Sequence, residues 1–189
     1  TGVVVILVDA NGERTMFPDN GANADLEPSD LPSLDDIDGV YLSGYALLDF
    51  RSRDAVLEMI KKIKAAGKPI FFDPTTTGAM KVVSREEVLS WVSMMDGILL
   101  NSEEALYLGD TNDVATAEQN LAQHTPLVVI KLGSKGAMAV NGNERAKVSA
   151  VTTNVVDTTG AGDSFAAGFI PKWLETSDLT QALSAGAAL

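Results

Sequence analysis

From residue 39 onward the sequence alternates short apolar runs with longer segments of helical period, and this alternation limits the fold more than any other feature. Val40-Tyr41-Leu42-Ser43 reads as a strand ending at Gly44. Asp54 to Ala66 sets Val56, Leu57, Ile60 and Ile63 on one helical face and closes on Gly67. Pro69 to Asp73 is a buried strand followed by Pro74. Ser84 opens a helix, with Glu87 three residues on as a capping box. Gly97 to Leu100 is the next strand, Ser102 the expected cap of a helix over Glu103 to Leu108, and Ala115 to Gln123 a further helix. Leu127 to Lys131 is a strand, and Ala137 to Val140 with Arg145 to Ser149 form a hairpin across Asn141-Gly142-Asn143. Strands separated by helices pair in parallel, and both faces of such a sheet are covered. With no repeat, low-complexity segment or linker, the chain reads as one α/β domain over residues 1–189. Ligands of such sheets bind outside the C-terminal strand ends. Gly44, Asp73, Asn101, Lys131 and the stretch from Asp157 all fall there.

Before this pattern, Val3 to Val8 and Arg14 to Phe17 read as a hairpin turned at Asn11-Gly12. A lone hairpin is marginal in water and needs partners. The polar turn Asp19 to Ala24 follows it.

Asp157-Thr158-Thr159-Gly160-Ala161-Gly162-Asp163-Ser164-Phe165 follows a β-branched run, Val151 to Val156, and precedes a small-residue helix, Ser164 to Leu174. A helix start has unpaired N–H groups and a partial positive charge, and both attract anions. Gly160 and Gly162 remove side chains that would hold a phosphate away. Asp163, on the first turn, can accept a proton from a substrate hydroxyl, a pairing that phosphoryl transfer to an alcohol requires. An Asp at this place is also an ordinary dipole partner. A dinucleotide fingerprint would need glycine where the chain has Phe165, and there is no Gly-x-x-x-x-Gly-Lys-Ser/Thr.

Two further junctions carry polar groups. Asn101 and Glu104, three apart at a strand-to-helix boundary, can face one pocket or form a plain N-terminal turn. A carboxylate there could hold hydrated Mg2+. Lys131-Leu132-Gly133-Ser134-Lys135-Gly136 is a glycine turn after a strand, readable as a hairpin entry.

The nonapeptide, with Asn101-x-x-Glu104 preceding it, resembles the signatures of the ribokinase-like (PfkB-type) carbohydrate kinases. That resemblance spans nearly the whole chain. It implies a ribokinase-like three-layer α/β/α fold with a mainly parallel central sheet and part of a β lid. It implies ATP-dependent phosphorylation of a sugar hydroxyl, with Asp163 as base and Gly160, Ala161 and Gly162 as anion hole. It places Asn101 at the nucleotide phosphates and Glu104 in the magnesium-water network. The turn containing Gly133, Ser134 and Gly136 would cradle ATP, with Lys131, where the family often has Thr, reaching a phosphate. Gly21 and Asn23 would lie near the sugar. Asp157 and the Thr159 carbonyl match positions that bind a monovalent cation, such as K+, in several relatives. A homodimer through the β lid is a further implication. The family's Gly-Gly motif and sugar-binding Asp have no counterpart here, and both ends break into regular patterns, so the chain reads as part of a longer protein. Two alternatives remain open: nucleoside kinase chemistry on the same fold, and a non-catalytic nucleotide- or sugar-binding module.

Composition limits the partners. There are 26 acidic against 14 basic residues, a formal charge of −12, which disfavours nucleic acid and anionic membranes. A bound nucleotide would therefore need a divalent cation. The chain has no cysteine and one histidine, His124, so thiolate and histidine metal sites are not expected. The same absence of cysteine, with no signal-peptide pattern, fits a cytoplasmic address.

Overall fold

The computed structural model describes residues 2–8, 14–19, 21–152 and 160–189. β1 (Val3–Val8) and β2 (Arg14–Asp19) form an antiparallel two-stranded ribbon. All six β1 side chains are exposed, as a two-stranded ribbon with no third layer must leave them. The expected Asn11-Gly12 turn lies outside the described residues.

A six-stranded sheet follows, made by β3 (Val40–Ser43), β4 (Ile70–Asp73), β5 (Gly97–Asn101), β6 (Leu127–Lys131), β7 (Ala137–Asn141) and β8 (Glu144–Val148). The spatial order is the chain order. β3 to β6 are parallel, and β7 and β8 add as antiparallel hairpin strands. Between the parallel strands run α1 (Tyr45–Leu48), α2 (Arg53–Ala65), α3 (Thr77–Met80), α4 (Arg85–Val92), α5 (Ser102–Leu108) and α6 (Val114–Leu121). Each crossover steps to the next strand in the same direction. Crossovers share one hand, so their helices gather on one face of the sheet. α7 (Ala161–Thr176) and α8 (Leu179–Ala187) cover the other face.

Strand residues alternate between the two cores. Ile70, Phe72, Ile98, Leu100, Val128 and Ile130 pack with Ile60, Trp91 and Leu108 of the crossover helices. Phe71, Leu99, Leu127, Val129 and Ala139 pack with Phe165, Phe169 and Leu183 of α7 and α8. Both faces being buried explains why these strands read as unbroken apolar runs. α7 and α8 approach closely at Gly168, where an added Cβ would stand 2.4 Å from the Ala185 carbonyl oxygen.

Four local expectations change. The helix expected from Ser164 begins at Ala161 and continues to Thr176. The box at Ser84 is half made: its hydroxyl accepts the Glu87 N–H at 3.1 Å, while the Glu87 carboxylate pairs with Arg53 at 3.0 Å. α5 is capped by Asn101, not Ser102. The run before the nonapeptide shows no strand at Val151 and Thr152, and its remainder lies outside the described residues.

Candidate active site

The face that α7 covers also carries the polar ends of the parallel strands. Tyr41 is in register with Phe71, Ser43 with Asp73, and Asn101 with Lys131. Asp73 keeps the parity of Phe71, Asn101 that of Leu99, and Lys131 that of Val129. Each therefore points toward the α7 side, just past the last apolar residue of its strand. α7 begins above them, and a cavity of about 540 Å3 opens between. That size suits a small-molecule ligand.

Gly160 caps α7 with φ 75°, a left-handed conformation that favours glycine. An added Cβ there would meet nothing within 4 Å. Gly162 differs: its added Cβ would stand 3.1 Å from Lys131 Nζ and 4.0 Å from Asp73 Oδ2. The Lys131 ammonium thus lies beside the N-terminal turn of α7. A cation is unfavourable at that end of a helix unless an anion accompanies it. Asp73 supplies one, with Oδ2 accepting from Lys131 Nζ at 2.9 Å. Asp73 Oδ1 accepts the N–H of Thr75 at 3.0 Å.

Asp163 projects into the cavity from the first turn of α7. The Tyr41 hydroxyl donates to Asp163 Oδ1 at 3.2 Å. Burial, followed by the charges of Asp73 and Asp163, raises the Tyr41 phenol above its ordinary value.

Asn101 and Glu104 form a complete capping box. The Asn101 Oδ1 accepts the Glu104 N–H at 2.9 Å, and the Asn101 N–H donates to Glu104 Oε2 at 2.8 Å. The amide Nδ2 also donates to Glu104 Oε1 at 2.5 Å. The plain N-terminal turn is therefore formed, and both residues line the cavity as well. One amide hydrogen and one lone pair of Asn101 stay free for a ligand. Glu104 is only 4% exposed, and its carboxyl is raised from 4.5 to about 7. Burial is the main cause; the Asn101 N–H opposes it, Asp73 adds to it, and Lys131 opposes it.

Of the residues singled out from sequence, Asn101, Glu104, Lys131, Gly133, Gly136, Ala161, Gly162 and Asp163 converge on this cavity. Gly136 has φ 93°, and a Cβ there would overlap the Val148 carbonyl oxygen at 1.9 Å. Ser134 is exposed in the 3-10 turn Gly133–Lys135 and is not part of the wall. Gly21 and Asn23 sit in the 3-10 helix Gly21–Asp25 and do not line the cavity either. Asp157 and Thr159 lie outside the described residues. Sequence reasoning missed Tyr41 and Thr75, which both line the cavity. Thr75 has φ 76°, and its buried hydroxyl has no hydrogen-bond partner. Among the described residues, no group of three or more His, Cys, Asp and Glu could hold a metal, and no helix is long and apolar enough to cross a membrane.

A fructokinase of Vibrio alginolyticus is 30% identical over 176 residues, covering 90% of this chain and 57% of the relative. An adenosine kinase from Sinorhizobium meliloti superposes with a TM-score of 0.87 at 32% identity, over 99% of this chain and 58% of that one. A fructokinase double mutant from Vibrio cholerae O395, with fructose, ADP and potassium ion bound, gives 0.84 at 25% identity, over 97% and 64%. The chain thus spans little more than half the length of the curated fructokinase it matches. The family model of pfkB family carbohydrate kinases matches residues 1–189. With that match on this sheet, and the nonapeptide's Gly160 to Asp163 at the start of α7, the chain belongs to the pfkB family of carbohydrate kinases.

Proposed function

We propose that the protein transfers the γ-phosphoryl group of ATP to a hydroxyl of a sugar. The observation that carries this reading is the juxtaposition of the Asp163 carboxylate, the glycine-lined N-terminus of α7 and the Lys131 ammonium in one cavity. Asp163 accepts the proton of the substrate hydroxyl, whose oxygen forms a bond to the γ-phosphorus as the bond to the β–γ bridging oxygen breaks and ADP departs. The N–H groups at Ala161 and Gly162, with the helix dipole, stabilise charge on the phosphoryl oxygens. Lys131 contacts a phosphate, and Asp73 holds it in place until then.

The residues fit a magnesium nucleotide. Gly162 leaves space that a methyl group would fill. The described residues offer no dedicated metal cage, and Mg2+ commonly keeps its waters and rides on substrate phosphates with one or two carboxylates nearby. Glu104, buried beside Asn101, is our assignment for that outer role. When bound, Mg2+ neutralises phosphate charge. Asp157 and Thr159 remain our assignment for a monovalent cation, supported by the family resemblance and tested by comparing rates in K+ and Na+. Gly21 and Asn23 remain our sugar-side assignments, Gly133, Ser134 and Gly136 our nucleotide-side turn. The exposed ribbon β1–β2 supports pairing with a second copy, and the cysteine-free composition a cytoplasmic address.

The test is Asp163→Asn in the full-length enzyme, with ADP release measured against a panel of sugars and nucleosides. Turnover should fall about a hundredfold or more while ATP binding is kept. Wild-type turnover would end the base assignment. The adenosine kinase likeness favours a second reading, nucleoside phosphorylation by the same residues; ADP release with nucleosides but not sugars would establish it. No ADP release with any acceptor would leave only a binding module.

A further inference from the structure

Tyr41 is the second residue of β3 and reaches across the cavity to a residue 122 positions away in the chain. Its hydroxyl carries one proton and faces two carboxylates, Asp73 and Asp163. Asp73 is already served: Oδ1 takes the Thr75 N–H and Oδ2 the Lys131 ammonium. The phenol hydrogen bond goes to Asp163 Oδ1, at 3.2 Å. This fixes the rotation of the Asp163 carboxylate about its last bond and leaves Oδ2 as the oxygen for a substrate proton.

Resting on the reading of Asp163 as base, we infer that Tyr41 is a positioning residue for phosphoryl transfer, orienting the Asp163 carboxylate by donating its hydroxyl hydrogen to Oδ1. Tyr41 touches neither the transferred phosphoryl group nor the proton in flight; it acts through Asp163. The surroundings suit a permanent donor. Asp73 from β4 and Asp163 from α7 face the phenol, and burial together with both charges keeps it protonated. Lys131 from β6 is held by Asp73, and Glu104 from α5 by Asn101, so neither competes for the Tyr41 hydroxyl. Orientation is a large lever in catalysis: a misplacement of about 1 Å can cost about a hundredfold in rate.

The experiment is a double-mutant cycle in the full-length enzyme, using Tyr41→Phe, Asp163→Asn and the double variant, with single-turnover ADP formation as the readout. Tyr41→Phe keeps the ring and its packing and removes one oxygen. Expected is a drop in kcat of about tenfold or more, with unchanged KM for ATP and unchanged Tm. In the Asp163→Asn background the same change should cost nothing further, because the group it orients is gone. An equal loss in both backgrounds, or no loss in the wild-type background, overturns the inference and leaves the base assignment standing. Wild-type turnover in Asp163→Asn alone overturns both.

Discussion

The two glycines that begin α7 should fail in opposite ways when replaced by alanine. Gly160 has φ 75° and open space at its Cβ position. Alanine there leaves the cavity as it is and strains the backbone, by about 1–2 kcal/mol for a left-handed residue. Gly162 is already helical, inside the first turn of α7. Alanine there gains about 0.5–1 kcal/mol of helical preference over glycine. Its methyl would stand 3.1 Å from Lys131 Nζ, the far end of a flexible side chain that can give way by a few tenths of an ångström. A phosphoryl oxygen seeking the N–H groups would meet the methyl and be held off by about 1 Å, which is worth about a hundredfold in rate. That loss corresponds to about 2.7 kcal/mol of transition-state stabilisation. Thermal melts and a coupled ADP assay on both variants separate the cases. Gly160→Ala should melt lower and keep most of its turnover; Gly162→Ala should melt at or above wild type and lose nearly all of it. The reasoning fails if Gly162→Ala turns over like wild type, or if Gly160→Ala loses more activity than Gly162→Ala.

Three other outcomes follow from the same cavity. The Glu104 carboxyl is raised from 4.5 to about 7, so without Mg2+ its ionisation should erode stability between those pH values, by on the order of 3 kcal/mol, with no further change above; Glu104→Gln should flatten that window in pH-dependent unfolding and raise the Mg2+ needed for half-maximal rate. Thr75→Gly should relieve a strained backbone at φ 76° and raise stability by about 1 kcal/mol while lowering turnover, and a lowered Tm would refute it. Lys131→Ala leaves Asp73 uncompensated beside the proposed phosphate site, so the KM for ATP should rise at least about tenfold, which steady-state kinetics at fixed Mg2+ would detect.

How much of this was legible in the sequence depended on the range of the forces involved. The parallel strands were plain because both faces are buried, so each is a short apolar run with few competing readings. The sequence puts the start of α7 three residues late because Gly162 is a weak helix former, and packing against the sheet outweighs propensity there. The cap of α5 is ambiguous by one position because Asn101 and Ser102 are both good caps. Glu104 decides between them, since only Asn101 has a glutamate three residues on that reaches back to its own N–H. Tyr41 could not have been found: its role depends on β3 lying beside β4 and on α7 covering that face, and no local pattern carries either fact. Thr75 was hidden for another reason. A left-handed residue is usually announced by glycine or asparagine, and Pro74-Thr75-Thr76 announces nothing.

Three features of the cavity wall work against the fold that holds them. Lys131 sits at the positive end of α7, Thr75 is strained with an unpaired hydroxyl, and Glu104 buries a carboxylate. Strain such as that at Thr75 costs about 1–3 kcal/mol. None of these costs is local to one element; each arises where β4, β5 or β6 ends beneath α7. The two apolar cores on either side of the sheet can hold all three, because Phe71, Leu99 and Val129 bury one residue pair before the polar ends begin. A polyanion accompanied by a divalent cation addresses two of the three at once. Its negative charge meets the helix N-terminus and the Lys131 ammonium, which Asp73 alone pairs with otherwise, and the cation favours an ionised Glu104. A neutral ligand would do neither. Lys131 beside the start of α7 and the buried Glu104 thus support our proposal of a magnesium-bound phosphate, rather than an uncharged sugar, at this end of the cavity.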